Sequence, residues 1–153
     1  MSWRTVWTSL VASLCGSLIP SALMFLKARL GILPAFQPYD SVQTTLVAAF
    51  GTGLPPSVLW ILSFLNGAVV LGFLFGQAYR WLPGTCGATK GLVFGLTGWI
   101  AMGLLFFPMI GMGFFAAQSP AGAAASLLSL AMIVTYSVTM GMVYAALERA
   151  GKP

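Results

Sequence analysis

Few side chains in this chain of 153 residues could take part in catalysis. The sequence has no His, and its only acidic side chains are Asp40 and Glu148. It therefore cannot supply a His-based catalytic triad, a zinc site of the usual His and Cys type, or a carboxylate cluster for calcium. An enzyme would have to work through Asp40, Glu148, Cys86 or Tyr136 alone. We expect a protein that is not an enzyme, with no catalytic, cofactor-binding or metal-binding residue.

The two cysteines are too few for a disulfide framework. Cys15 falls in an apolar run and Cys86 in a short Gly-rich loop, so we expect both to be free thiols. The eight Met residues are spread along the chain, as packing residues are, and form no copper-like cluster. No cofactor is expected, although structural lipids fit the composition.

The composition excludes a soluble globular protein. Hydrophobic residues make up 59% of the chain and charged residues 6%, against about 25% charged in soluble domains. The net charge of +5 comes from seven scattered Lys and Arg residues. They form no basic stripe, so we expect no nucleic-acid partner.

Four uncharged stretches are each long enough to cross a hydrocarbon core, which takes about 20 helical residues. Backbone polar groups in lipid must be satisfied within the segment, which favours helices over the strands of a barrel. The sequence therefore predicts a single all-α transmembrane domain over residues 1–153, an integral membrane four-helix bundle built from two hairpins. The spans cover about 5–26, 56–79, 91–115 and 120–146.

A signal peptide is the alternative for the first span, because an apolar run follows Arg4 and reaches Cys15. The residue before a lipidated Cys should be small, and here it is Leu14. The run also continues to Leu26, beyond a normal signal segment. We therefore expect an uncleaved first helix.

The Lys and Arg residues next to the spans predict the orientation. Four spans put both termini on one side, and five of the seven basic residues fall on that side. The excess of positive charge marks the cytoplasmic side, so both termini are expected in the cytoplasm. The five are Arg4, Arg80, Lys90, Arg149 and Lys152, and the other two are Lys27 and Arg29.

The one long connection, residues 28–55, contains a predicted short helix. Asp40 and Ser41 offer an N-cap, and the residues that follow give one apolar face over residues 40–50. A helix this short is expected to lie in the membrane interface between the first two spans, either as a cap over the bundle or as a ligand gate. The last two spans are expected to be joined by a loop of only about four residues.

The second and fourth spans align at an offset of 69 residues. Gly72 then matches Gly141, and Phe75 matches Tyr144. This alignment predicts a parallel internal repeat of the two hairpins, related by an axis along the membrane normal.

Glycines at a spacing of four residues predict close helix contacts, either within the bundle or with another chain. The pairs are Gly72 with Gly76 and Gly91 with Gly95. Polar residues within the spans are expected to hydrogen-bond neighbouring helices, Asn66 above all because an amide is costly to bury in lipid. We also expect the indole of Trp99 to find a partner. The other polar residues are Ser63, Gln77, Thr97, Thr135, Tyr136, Ser137 and Thr139.

Three apolar and glycine-containing patterns make the sequence resemble an uncharacterised family of small bacterial four-helix inner-membrane proteins, a domain of unknown function. They are the run from Ser21 to Lys27 with Leu33 and Pro34 after it, the stretch from Trp60 to Gly67, and the run from Pro108 to Phe115. Members of this family often have a His before the Phe that matches Phe64, where this chain has Ser63. The resemblance implies the fold and a location in the bacterial inner membrane, and it leaves the activity open.

No ionisable residue lies inside the predicted spans, which argues against proton transfer and ion-coupled transport. We therefore expect a non-catalytic accessory or structural subunit of a larger bacterial inner-membrane complex, respiratory or photosynthetic. Its partners would be the lipid bilayer and other membrane-protein subunits. The alternative is a self-associating pore or carrier for a small neutral or lipid-like molecule.

Overall fold

A computed structural model describes residues 3–31, 55–119 and 122–150, with five single positions between 44 and 53. Within these ranges the chain is helical and contains no strand, so the predicted all-α fold is confirmed. Four helices lie within residues 3–31, 55–119 and 122–150. Helix α1 is Trp3–Leu30, α2 consists of Pro56–Leu65, Asn66–Leu71 and Gly72–Ala78, α3 consists of Gly87–Ala101, Met102–Phe106 and Phe107–Met109, and α4 is Ala123–Ala150.

Three of these helices are long and apolar enough to cross a membrane. The qualifying segments are Thr5–Leu23 in α1, Gly87–Met109 in α3 and Ala123–Ala150, the whole of α4. In α2 the corresponding apolar stretch, Asn66–Ala78, is shorter. Length and composition thus support a membrane crossing by three of the four helices.

The middle segments of α2 and α3 are π-helical, Asn66–Leu71 and Met102–Phe106. A π segment shifts the register of the backbone hydrogen bonds, and membrane helices use such adjustments where neighbouring groups satisfy the carbonyls that are released. In α3 the segment directly precedes the turn that contains Pro108, which has no N–H to donate. Helix α1 continues through Pro20 without a break.

Neighbouring helices run antiparallel. Helix α1 packs between α2 and α4, and α4 also packs on α3. Ser9 of α1 lies beside Gly76 of α2, close to Tyr144 of α4, whereas Gly16 lies beside Tyr136. The beginning of α1 and the end of α4 are therefore at the same end of the bundle, as predicted.

The third and fourth spans differ from their predicted bounds. Helix α3 begins at Gly87 and ends at Met109, so the prediction that it continues to Phe115 is wrong. The chain turns there because Gly111 and Gly113 take positive φ angles of 75° and 70°. The connection to α4 covers residues 110–122 and contains the 3₁₀ turn Phe114–Ala116, so a loop of about four residues is also wrong.

The predicted interfacial helix over residues 40–50 lies mostly outside the described residues. Three positions described there, Thr44, Val47 and Ala48, are helical. The parallel repeat of the two hairpins stays a prediction.

The buried hydrophobic side chains form two clusters. The first joins α1, α2 and α4, and the second joins α3 and α4 to their connection. The first consists of Ala12, Phe75, Tyr136, Met140 and Tyr144, and the second of Phe107, Met112, Ala116 and Ala125.

Candidate functional site

A row of serines lines the face of α1 that packs against α2. Ser9, Ser13 and Ser17 are spaced four residues apart and are all buried. Ser9 donates to the Thr5 carbonyl at 2.8 Å and Ser17 to the Ser13 carbonyl at 2.9 Å, so their hydroxyls are satisfied within α1. Sequence reasoning missed this serine row, although its period of four residues is visible in the printed sequence.

The glycines of α2 pack directly on the serine row. A Cβ atom added to Gly72 would meet the side chain of Ser13, and one added to Gly76 would meet the side chain of Ser9. Without side chains at these positions the two backbones approach closely, which is how helices associate in lipid. This pair therefore serves contact within the bundle, and we call the α1–α2 contact the Ser–Gly seam.

Two side-chain hydroxyls reach the π-helical segment of α2 from different helices. Ser13 of α1 donates to the Ala68 carbonyl, and the phenol of Tyr136 in α4 donates to the Gly67 carbonyl at 2.6 Å. Both carbonyls belong to Asn66–Leu71, so α1 and α4 together satisfy backbone groups there. The prediction that Tyr136 joins helices through a hydrogen bond is confirmed.

Helices α3 and α4 meet through a second set of glycines. Gly87, Gly91 and Gly95 are four residues apart and buried on one face of α3. A Cβ atom at Gly87 would meet the Gly141 carbonyl, and one at Gly91 would meet the Ser137 carbonyl. A Cβ atom at Gly95 would lie 2.9 Å from the Ser137 Cβ, so Gly91 and Gly95 both serve contact within the bundle. We call the contact that Gly87 and Gly91 make with the backbone of α4 the Gly–backbone seam.

An indole hydrogen bond continues the contact between α3 and α4. Trp99 donates through Nε1 to the Ser129 hydroxyl at 3.1 Å, which confirms the predicted need for a partner. The Trp99 ring also packs on Phe115 with 4.8 Å between ring centroids. Trp99 thereby links both helices to their connection.

Aromatic rings fill the end of the bundle that holds both termini. The Phe75 ring contacts Tyr79, Phe94 and Tyr144 in edge-on geometry, with centroid distances of 5.1 to 5.6 Å. Lys90 of α3 donates to the Tyr79 carbonyl at 2.7 Å, and its ammonium lies 4.3 Å from the Tyr79 ring centroid. A cation placed at the C-terminal end of α2 also complements the helix dipole.

The residues with catalytic potential are not brought together. Tyr136 is buried, Glu148 is exposed near the end of α4, Cys86 is exposed before α3, and Cys15 is half-buried in α1. Tyr136 and Glu148 are twelve positions apart on α4, which is about 18 Å along a helix. Asp40 lies outside the described residues. Among the described residues no three His, Cys, Asp or Glu side chains form a group that could hold a metal ion.

Cys86 is the N-cap residue of α3. Its backbone N–H donates to the Thr89 hydroxyl at 3.4 Å, and its sulfur lies 3.5 Å from that hydroxyl. The hydrogen bond from Thr89 favours the thiolate and lowers the pKa of the Cys86 thiol from its usual range. The cap fixes the start of α3.

Not every predicted polar contact between helices forms. Thr97 and Thr135 are exposed and donate to carbonyls of their own helices, at Val93 and Ala131. Asn66 is exposed on α2, where no described residue hydrogen-bonds its side chain, so the expected bond to a neighbouring helix does not form among the described residues.

The fold and the site define an all-helical protein with three helices suited to cross a membrane, held together by small residues and hydroxyl-to-carbonyl hydrogen bonds. The chain belongs to DUF6789, a family of unknown function, whose family model matches residues 3–152. This confirms the expected membership of an uncharacterised family. No curated protein and no solved structure matches the chain.

Proposed function

We propose that this protein is a non-catalytic accessory subunit of a larger bacterial inner-membrane complex, respiratory or photosynthetic. All four helices cross the membrane, both termini lie in the cytoplasm, and the protein joins its partner subunits through helix packing and lipid contacts. The first observation in support concerns the side chains that could take part in catalysis. The few groups with catalytic potential are apart, and Tyr136 is engaged in a hydrogen bond between helices.

The exposed amide of Asn66 is the main observation behind the proposal. This amide is exposed within α2 beside exposed Leu62 and Leu65, and the side chain makes no hydrogen bond to any described residue. An amide that faces hydrocarbon is costly, and membrane helices satisfy such groups by hydrogen bonding to another helix. Since α1 and α4 already bind the neighbouring carbonyls of Gly67 and Ala68, a helix from another subunit is the partner that this face suits.

Purification of the tagged protein from its native membrane in a mild detergent tests the proposal. We expect the same membrane proteins to co-purify with the wild-type chain and to be lost from Asn66→Val, which removes no hydrogen bond within the described bundle. Thr97→Val is the matched control, because Thr97 is also exposed but bonds its own helix. A wild-type chain that migrates alone would contradict the proposal. Equal co-purification with both variants would contradict the role of the Asn66 face.

An apolar groove on the outside of the bundle favours a second candidate function, a self-associating pore or carrier for a small neutral or lipid-like molecule. The groove has a volume of about 280 Å³ between α1 and α2, and its lining is apolar. Liposomes that contain only this protein should then pass such a molecule, and absence of flux would count against this candidate.

A further inference from the structure

The apolar groove has the lining of an acyl-chain site. Val6 and Leu10 of α1 form one wall, and Val69, Val70 and Phe73 of α2 form the other. The three α2 side chains are 40 to 48% exposed, so the groove opens to the outside of the bundle. Such a surface suits hydrocarbon and offers nothing to a polar solute.

The same face of α2 becomes polar and then positively charged toward the end of the bundle that holds both termini. Gln77 follows Phe73 by four residues on α2, and Arg80 lies in the turn directly after α2, where the C-cap residue Tyr79 keeps helical φ and ψ angles of −50° and −36°. The Phe73 side of the helix therefore continues through Gln77 to Arg80. Both are exposed, and no described residue hydrogen-bonds or ion-pairs with them. Arg80 is about 10 Å beyond Phe73 along the helix direction.

Exposed Trp81, next to Arg80, marks the level of the membrane interface. Its side chain is 81% exposed, and Trp is enriched where the hydrocarbon meets the headgroups. The groove would then be within the hydrocarbon and Arg80 among the headgroups. This order, apolar then amide then cation, matches the order of acyl chain, ester and phosphate in a phospholipid.

Three charged side chains that the structure describes near this end do not compete for that position. Lys90 is engaged at the Tyr79 carbonyl, and Arg149 and Glu148 are on α4, which does not line the groove. Arg80 is therefore, among these four described side chains, the one that continues the groove side of α2.

We infer that the groove and the Gln77–Arg80 face form a binding site for one anionic phospholipid. An acyl chain fills the groove, the Gln77 amide binds an ester carbonyl, and the Arg80 guanidinium pairs with the phosphate in the forked geometry that Arg favours. A zwitterionic lipid carries the same phosphate together with a cationic ammonium group that Arg80 repels, so the site favours a lipid with a net negative charge. The inference rests on the membrane location in the proposed function and does not need the partner subunits.

Native mass spectrometry of the detergent-purified protein with added phosphatidylglycerol or phosphatidylcholine of the same acyl chains tests the site. We expect the wild-type chain to bind phosphatidylglycerol about fivefold more tightly, the effect of one basic residue at a membrane surface. Arg80→Gln should abolish this preference. Arg149→Gln loses the same charge at the same end and should keep it.

Filling the groove tests the acyl-chain part separately. Val69→Trp should weaken binding of both lipids, whereas Leu105→Trp, at a 65% exposed position on α3, should not. Val6→Trp fills the groove from α1 and replaces Val69→Trp should that variant not fold. Water-soluble glycerol phosphate should not displace phosphatidylglycerol, because it has no acyl chain.

Three results would overturn the inference. They are equal affinity of the wild-type chain for the two lipids, an equal loss of preference in Arg149→Gln and Arg80→Gln, and displacement by glycerol phosphate. Failure of the proposed function is distinguishable, because a chain with the lipid preference and no co-purifying subunit contradicts the accessory role alone. A chain released from membranes without detergent would contradict both.

Discussion

The Ser–Gly seam between α1 and α2 and the Gly–backbone seam between α3 and α4 use the same spacing to different effect. Each places small residues four apart on one helix, so that two backbones approach closely. They differ in what opposes the glycines. Gly76 faces the side chain of Ser9, whereas Gly91 faces the backbone carbonyl of Ser137.

This difference predicts how each seam responds to added volume. A serine side chain can rotate or be replaced, while the backbone of a long helix can move only as a unit. The Ser–Gly seam also gains the hydrogen bond from Ser13 to a carbonyl of α2, and Tyr136 of α4 donates to the neighbouring carbonyl. Added side-chain volume should therefore destabilise the Gly–backbone seam more. In the Ser–Gly seam, a substitution on α1 should relieve a clash that is introduced on α2.

The largest effect is expected from Gly91→Ala. The new Cβ atom would contact the Ser137 carbonyl group, 2.8 Å from its carbon, and lie 3.0 Å from the Val138 Cα, so α3 and α4 must separate. We expect a loss of about 2–3 kcal/mol in the free energy of unfolding, the upper range for overpacking. Titration with SDS in mixed micelles measures it.

Gly98→Ala is the matched control on the same helix, because a Cβ atom at Gly98 meets nothing within 4 Å. It should raise the free energy of unfolding by up to about 1 kcal/mol, since Ala favours the helix more than Gly does. Equal losses in the two variants would show that the cost arises from the glycine backbone itself and would contradict the seam.

A smaller effect, which a second substitution should partly suppress, is expected from Gly76→Ala in the Ser–Gly seam. Its Cβ atom would collide with the Ser9 hydroxyl and lie 3.1 Å from the Ser9 Cβ. We expect a loss of about 1–2 kcal/mol, and Ser9→Ala should restore about half of it because the hydroxyl bonds only its own helix. A double-mutant cycle measures the coupling, and additive losses would contradict the contact.

Sequence patterns predicted the helices and the roles of these glycines better than they predicted helix ends and polar partners. The small-residue spacing of Gly72, Gly76, Gly91 and Gly95 is local and directly readable, so both pairs were found. The end of α3 was missed because hydropathy continues through Phe115, whereas the turn depends on the φ angles of Gly111 and Gly113.

The candidate site was only partly predictable, for a physical reason. Tyr136 and the Gly67 carbonyl are 69 residues apart, and a π segment has no reliable sequence signature, so their hydrogen bond required the three-dimensional arrangement. The sequence indicates that the Asn66 amide is costly to bury in lipid and needs a hydrogen-bond partner. It does not indicate which side of α2 the amide faces. The serine row was readable from its spacing and was overlooked.

Removal of the Tyr136 hydroxyl tests the hydrogen bond that α4 makes with α2 beside the Ser–Gly seam. Tyr136→Phe keeps the ring and leaves the Gly67 carbonyl without this donor. We expect a loss of about 1 kcal/mol in the free energy of unfolding, typical of one hydrogen bond between membrane helices. Thr135→Val, whose hydroxyl bonds its own helix, should lose less, and the reverse order would contradict the assignment.

The smallest effect is expected at Cys86, whose labelling rate measures the exposure of the seam at the start of α3. Half-buried Cys15 measures the exposure of α1 in the same way. A maleimide reagent should label Cys86 first, because it is exposed and its thiol has a lowered pKa. Thr89→Val removes the hydrogen bond that favours the thiolate, so the pKa should rise. Labelling near pH 7 should then slow, since the thiolate is the reactive form.

At a pH well above both pKa values the thiolate fraction is complete in either protein, so the wild-type chain and Thr89→Val should be labelled at equal rates. A difference in rate that persists at high pH would show that Thr89→Val exposes or shields the sulfur, and not that it changes the pKa. The same assay distinguishes the seams. Gly91→Ala should accelerate labelling of Cys86 and leave that of Cys15 unchanged, whereas Gly76→Ala should accelerate labelling of Cys15 and leave that of Cys86 unchanged.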